Sequence, residues 1–304
     1  MDGPHGLAVT ARDFGLKGPR GWAFRDVRVD AGPGSLIAVA GPSGSGRTCL
    51  LLALTGRMRP TDGTATVGGL RLPRQMSALR RISALAHVPG VTDLDPALTV
   101  AEHLRERVLL QRRFGASARD LLRPRAERAA KARLLADTAL SAAGLDPEAL
   151  PKGLRTAVRD LERTEALRLS IALALAGRPR LLGVDDADLK LSAAEREEIW
   201  SLLASIAASG TTVVAVCGEA PGDAVTVSTR PDTAPRTAPD TAPDGGGEAG
   251  DHGEDGEGSA VDEPGDDGED TADTAHGDTR REDTDHTDDV TEEAAGALAE
   301  TRRA

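Results

Sequence analysis

The sequence predicts an α/β fold: a sheet flanked by helices, an inserted helical block, and an acidic tail. Three observations carry this. Short apolar strands alternate with helical patterns through the first 220 residues. A glycine-rich turn, Gly41-Pro42-Ser43-Gly44-Ser45-Gly46-Arg47-Thr48, joins an apolar strand to a helical stretch. Beyond residue 220 apolar residues become scarce, and Asp, Glu, Gly, Thr and Pro take over.

In chain order, residues 7–14 (LAVTARDF) and 22–30 (WAFRDVRVD) read as strands separated by turn residues. Residues 35–40 (SLIAVA) suit a buried strand, and the segment after the glycine-rich turn, TCLLLALTGRM, has helical character. Residues 61–72 (TDGTATVGGLRL) read as a turn and hairpin, and 82–88 (ISALAHV) as a further buried strand. From Val100 to about Ala143 the pattern is helical and rich in Arg, and 160–176 is helical again. Residues 180–184 (RLLGV) and 211–216 (TTVVAV) are short apolar strands with a helix over 193–207 between them. The block at about 100–175 interrupts the alternation and reads as an inserted helical subdomain, so 1–220 forms one domain and 221–304 a tail.

The charge is divided accordingly. Residues 221–304 hold 25 acidic and 6 basic residues, so the tail carries −19 and the remainder +7 of the total −12. The repeat PDTAPRTAPDTAPD at 231–244 favours extended backbone, and the rest of the tail offers too little apolar surface to offset the entropy of ordering. A short helix near 290–301 is the one element expected there. The basic run Arg105, Arg107, Arg112, Arg113, Arg119, Arg123, Arg125, Arg128 and Arg133 reads as a solvated helix face. It could instead dock a membrane subunit or hold the acidic tail, against the alternative that the tail is a solubilising appendage. No run of about 18 apolar residues occurs, the N-terminus lacks a signal-peptide pattern, and Cys49 and Cys217 show no disulfide or metal spacing. A reduced, cytoplasmic setting is expected, with membrane association only through a partner. With no Tyr, three Phe and two Trp, nucleic acid is not an expected partner. His252, His276 and His286 are too irregularly spaced for a metal site.

The glycine-rich turn has the context of a P-loop. Its glycines let successive backbone N–H groups point into one concavity, and the helix N-terminus adds positive potential. Thr48 supplies a hydroxyl suited to Mg²⁺. The usual lysine is Arg47, which keeps the charge but places it on a larger planar fork. Cys49, next on the helix, reads as a small buried residue.

Further segments fall where the ATP-binding-cassette (ABC) ATPase family has its motifs, so residues 7–220 resemble that family. RLLGVDD at 180–186 resembles the Walker B strand, with Asp185 behind Mg²⁺ and Asp186 where a catalytic Glu is normal. VPGVTDLDPALTVAEHL at 88–104 resembles the stretch after the Q-loop, which puts His87 at the position of its Gln. LERTE at 161–165 stands where LSGGQ is expected, and Gly218 where the switch His is expected. Phe14 is the candidate to stack on adenine, with Trp22 its rival. The resemblance implies a P-loop NTPase fold, a cassette with a mixed sheet, that takes ATP and Mg²⁺. It also implies a dimer with itself or another cassette and a separately encoded membrane protein.

The departures bear on hydrolysis. Asp186 is shorter than Glu by one bond of about 1.5 Å, and a misplacement of about 1 Å can cost roughly a hundredfold in rate. Gly218 removes an imidazole. Just before LERTE, Asp160 is placed to cap the helix, and Glu162 and Glu165 within it fill the first turn, where they repel a phosphate. The expected function is therefore the ATP-binding subunit of an ABC-type transporter with weak or lost hydrolysis. The alternative is a non-hydrolytic nucleotide-binding regulatory or scaffold protein. A soluble translation or repair protein is a third class, disfavoured by the single cassette.

Overall fold

The computed structural model describes residues 6–115 and 124–229, except for the side chains of 111–115 and 125. The expectations for the Pro-rich repeat, the helix near 290–301, the tail histidines, and Arg112, Arg113, Arg119, Arg123 and Arg125 lie outside what is described. By its contacts the chain divides into Met1–Thr237 and Ala238–Ala304, and every described residue belongs to the first unit.

Nine strands form two sheets among the described residues. Strands β1 (Val9–Gly18), β2 (Gly21–Ala31), β4 (Asp62–Val67) and β5 (Leu70–Leu72) pair antiparallel in the order β2-β1-β4-β5. Strands β3 (Leu36–Ala40), β6 (Ser83–Ala86), β7 (Leu181–Val184), β8 (Thr212–Cys217) and β9 (Val225–Ser228) pair parallel in the order β6-β7-β8-β3-β9. The helices are α1 (Arg47–Leu54), α2 (Met76–Ile82), α3 (Val100–Gly115), α4 (Arg125–Ala142), α5 (Arg163–Leu175) and α6 (Ala193–Ala208).

The parallel strands β3, β6, β7 and β8 are apolar at nearly every position because both faces are covered. Successive residues point to opposite faces. Val214 and Val216 of β8, with Ile37, Val39, Leu181 and Val227, pack against α1 and the antiparallel sheet. Val213 and Ala215, with Leu182, Val184, Ala84 and Ala86, pack against the helical side formed by α3 to α6. Each such Val, Leu or Ile side chain contributes roughly 1.5–3 kcal/mol of burial, and each alanine less. The polar Thr212 is tolerated in this core because its hydroxyl donates to the Leu7 carbonyl and accepts the Leu7 and Gly34 amides, at 2.7, 2.9 and 2.9 Å.

Two elements escape the sequence reading. Helix α2 fills 76–82, where little apolar periodicity announces it. Strand β9 lies within the segment expected to be tail, and pairs with β3 from Ile37↔Val225 to Ala40↔Ser228. The boundary expected at 220 therefore moves beyond Thr229, whose amide donates to the Ala40 carbonyl at 3.2 Å. Val225–Ser228 is a four-residue strand in a polar, proline-flanked stretch, and it is held by backbone pairing with β3.

Candidate functional site

The carboxyl edge of the parallel sheet gathers the polar residues. In open α/β sheets this edge is where ligands bind. Each of the five strands ends on a residue of interest: His87 after β6, Asp185 and Asp186 after β7, Cys217 and Gly218 at β8, the P-loop after β3, and Thr229 after β9. A cavity of about 740 Å³ opens here, lined by Gly41, Pro42, Ser43, Arg47, Asp186, Lys190 and Gly218 among others.

The P-loop is shaped by its glycines. Gly44 and Gly46 sit at φ 79° and 84°, in the left-handed region. At Gly46 a Cβ would run into the Ala23 carbonyl of β2, so only glycine fits where the loop meets the antiparallel sheet. Gly46 is also the N-cap of α1, and no side chain bonds to the exposed amides of that helix end. The first turn carries no acidic residue, leaving free N–H groups and positive potential for an anion. Ser45 and Thr229 hydroxyls lie 2.6 Å apart, tying the loop to the end of β9.

The structure brings Thr48 and Asp185 together. The Thr48 hydroxyl donates to Asp185 Oδ2 at 2.8 Å, and the Asp186 amide donates to Oδ1 at 3.1 Å. Asp185 is 2% exposed, and burial pushes its carboxyl above the usual range, with Thr48 opposing and Asp186 adding to the rise. A hydroxyl and a carboxylate side by side are the hard oxygen donors that Mg²⁺ takes, usually one or two from protein with the rest from water and phosphate. The donor set fits the ion.

Arg47 lines the cavity, and its guanidinium donates to the Cys217 carbonyl at the end of β8. One of its N–H groups is thus spent on the protein. Cys49 is half-buried and packs with the core around α1, and burial, then Asp185, raises its thiol pKa.

His87, at φ 50°, has its amide held by the Ser170 hydroxyl of α5 at 2.7 Å. Burial lowers its imidazole pKa, Arg163 lowers it further, and Asp186 and Asp93 oppose. The strand register sets Ala86 opposite Val184, so His87 and the Asp185–Asp186 pair leave adjacent strands side by side.

Three expectations are corrected. Phe14 offers no face to a base: it is fully buried and packs on Phe24 at a centroid distance of 5.7 Å, because irregular β1–β2 pairing on either side of it turns the ring inward. Its rival Trp22 is 42% exposed, lies under the Lys17 ammonium at 5.7 Å, and precedes the Ala23 carbonyl that abuts Gly46. Asp160 does not cap α5. It sits in a short 3-10 turn, with Lys152 and Arg159 nitrogens 3.6 and 3.8 Å away. The cap is Glu162, whose amide donates to Glu165 at 2.8 Å in a reciprocal capping box. Lastly, Arg107 of the basic run is not simply solvated, since its Nε donates to the Leu173 carbonyl at 2.8 Å.

Sequence reasoning missed Thr229, Asp188, Lys190 and the role of Leu189. Asp188 accepts the Gly218 amide at 2.9 Å and the Glu219 amide at 3.4 Å. The Leu189 carbonyl accepts Arg163 Nε at 2.7 Å. For Asp188, Leu189 and Lys190, proximity to the Walker B segment was the one signal available; Thr229 had none. Gly218 lies in the cavity beside Asp186 and Asp188, with no side chain of its own.

The family model for the ABC transporter matches residues 24–188. The chain is 31% identical over 186 residues to Nod factor export ATP-binding protein I of Cupriavidus metallidurans, covering 61% of this chain and 54% of that protein. It thus spans about half the length of the curated relatives it matches. Among solved structures, the fold resembles CbiO1 from Clostridium perfringens, part of the ABC transporter complex CbiONQ, with TM-score 0.55 and 17% identity over 69% of this chain and 78% of that one. It also resembles the dimeric post-hydrolysis state of the ATP-binding cassette MJ0796 bound to ADP and Pi, with TM-score 0.53 and 22% identity over 69% and 88%. At these identities the structural likeness speaks for the fold. No helix of the described residues is long and apolar enough to cross a membrane.

Proposed function

The chain belongs to the ABC transporter family, and on that premise we propose that it is the ATP-binding subunit of a transporter, taking MgATP at its P-loop. The observation that carries this is the junction of the uncapped α1 N-terminus, Thr48 and Asp185 at the carboxyl edge of the parallel sheet. The backbone N–H groups of Gly44, Gly46, Arg47 and Thr48 would bind the phosphates, Thr48 and Asp185 would hold Mg²⁺, and Arg47 adds charge at the Cys217 side. Mg²⁺ supplies charge neutralisation between the phosphates when bound. Trp22, in place of Phe14, is the side chain available to stack on adenine.

Hydrolysis in this reading is slow. Asp186 lines the cavity and His87 leaves the neighbouring strand beside it, but Asp186 is one carbon short and Gly218 carries no imidazole. The α5 N-terminus, which a partner cassette would use, is already satisfied by Glu162 and Glu165, and Arg163 is turned back onto Leu189 of its own chain. That self-satisfied helix end favours a second reading, in which the protein binds nucleotide as a regulatory or scaffold subunit without turnover. By analogy with CbiO1 as part of CbiONQ, and with the dimeric cassette, the partners proposed are a separately encoded membrane protein and a second cassette. The protein would then work at the cytoplasmic face of a membrane.

The test is calorimetry of MgATP with the full chain, alongside Arg47→Ala and Thr48→Ala. Binding is expected at micromolar to millimolar nucleotide and is weakened by both substitutions. Absence of binding at millimolar MgATP overturns the reading. Turnover measured in the same samples separates a slow hydrolase from a regulatory subunit.

A further inference from the structure

We propose that Lys190, on the loop after β7, supplies the ammonium that the P-loop lacks and bears on the terminal phosphate of the bound nucleotide. The proposal rests on the nucleotide-binding reading and adds a residue from outside the P-loop.

Three observations meet at this side chain. The first is the exchange of charge type. Arg47 stands where an ammonium is expected, and its fork is engaged by the Cys217 carbonyl. A guanidinium fixed by one N–H presents a planar edge to a phosphate, whereas an ammonium is a compact charge with three rotatable donors. Only four of the 37 basic residues are lysines: Lys17, Lys131, Lys152 and Lys190. One of the four lines the same cavity as Pro42, Ser43, Arg47 and Gly218.

The second is the loop that carries it. Asp186 and Lys190 both lie in the left-handed region, at φ 46° and 59°. Non-glycine residues rarely adopt that conformation, and it persists only where neighbours enforce it. Here they do. The Ala187 amide donates to the Val216 carbonyl at 3.0 Å, the Asp188 carboxylate holds the Gly218 and Glu219 amides, and the Leu189 carbonyl is held by Arg163 of α5. A loop pinned at three consecutive residues from β8 and α5 orients the fourth, which lowers the entropy lost when its side chain closes on a ligand.

The third is availability. Lys190 is exposed and makes no hydrogen bond or ion pair with a described residue. Asp188, the nearest acid in sequence, is committed to two amides. The Asp186 carboxylate shares the cavity, so an ammonium there also offsets its repulsion of a terminal phosphate.

The experiment measures MgATP and MgADP affinity of the full chain by calorimetry for the wild type, Lys190→Ala, Lys190→Gly and, as a control outside the cavity lining, Lys152→Ala. Lys190→Gly removes the charge at a backbone position glycine favours, so loss of binding there is not a folding defect. Both Lys190 variants are expected to weaken MgATP about tenfold, the scale of one charge-assisted hydrogen bond. MgADP affinity is expected to change far less, and Lys152→Ala to change neither. Acetylation of Lys190, followed by mass spectrometry, is expected to slow in MgATP but not in MgADP. Wild-type MgATP affinity in Lys190→Gly, or acetylation unaffected by MgATP, overturns the proposal while leaving the nucleotide-binding reading intact. A wild-type chain that binds no MgATP overturns both.

Discussion

The hydroxyls of Ser45 and Thr229 lie 2.6 Å apart, joining the P-loop to the residue that follows β9. The position of Thr229 is set by β9, whose pairing with β3 runs through Ser228. A fragment ending at 220 therefore loses a strand of the main sheet, the buried Val227 and the brace on the P-loop. A fragment ending at 229 keeps all three. Thermal melts should show 1–229 close to the full chain and 1–220 lower by several °C or unfolded. Thr229→Val in the full chain should cost about 1 kcal/mol, the value of one internal hydrogen bond.

Gly46→Ala should be among the most damaging single substitutions. Its φ of 84° disfavours any side chain, and the new Cβ would collide with the Ala23 carbonyl. Denaturant titration should show a loss of more than about 2 kcal/mol, in the range of strained or overpacked sites. MgATP binding should fall with it, because α1 must shift.

Turnover should be slow in the wild type and respond to restoring substitutions. Asp186→Glu moves the carboxylate outward by one bond, and Gly218→His has room, since a Cβ at that position would meet Asp188 Oδ2 at an ordinary 3.5 Å. Phosphate release should rise at least about tenfold in the double variant, on the scale by which 1 Å of misplacement costs rate. Asp185→Asn should abolish that gain by weakening Mg²⁺ binding.

The pH dependence of stability should carry a signature of His87. Its folded pKa is below the ordinary value of 6.5, chiefly through burial and then Arg163. The folded protein therefore resists protonation that the unfolded chain accepts. Stability contributed by this group is present above that ordinary value and is lost as pH falls below it. Asp185 acts in the opposite sense, because its raised folded pKa favours the folded state as pH falls through the window above the usual carboxylate value. The difference between wild type and His87→Gln isolates the first effect. Between about pH 7.5 and 5.5, which spans the ordinary histidine range, the wild type's denaturant midpoint should fall more than that of the variant.

Both cysteines should be inert in the native state. Burial, followed by Asp188, pushes the Cys217 thiol up to about 12, and burial, followed by Asp185, raises Cys49. At about pH 8, near the ordinary thiol pKa, a thiol-exchange reagent should titrate neither within minutes, and both on addition of guanidinium chloride. Fast reaction of Cys217 in native buffer would show that β8 opens.

The local elements of this protein were decided by sequence. Residues 36–40, 181–184 and 213–217 are apolar on both faces, as covered parallel strands are, and the glycines at 41, 44 and 46 suit a phosphate loop. Thr48 and Asp185 could each be picked out from motifs with a fixed place relative to their strands, but their direct hydrogen bond came from the fold. What depends on a partner distant in the chain was not. Phe14 turned inward because irregular pairing with β2 reverses its face, a change of register that alternation along one strand cannot reveal. β9 escaped because its order comes from β3, far upstream, and not from its own propensity. Lys190 gained its place beside the P-loop because β8 and α5 pin its loop from two sides. Hydrophobic period and turn chemistry are local properties, whereas the direction of a side chain at a site is set by hydrogen bonds closed across 26 to 184 residues of chain.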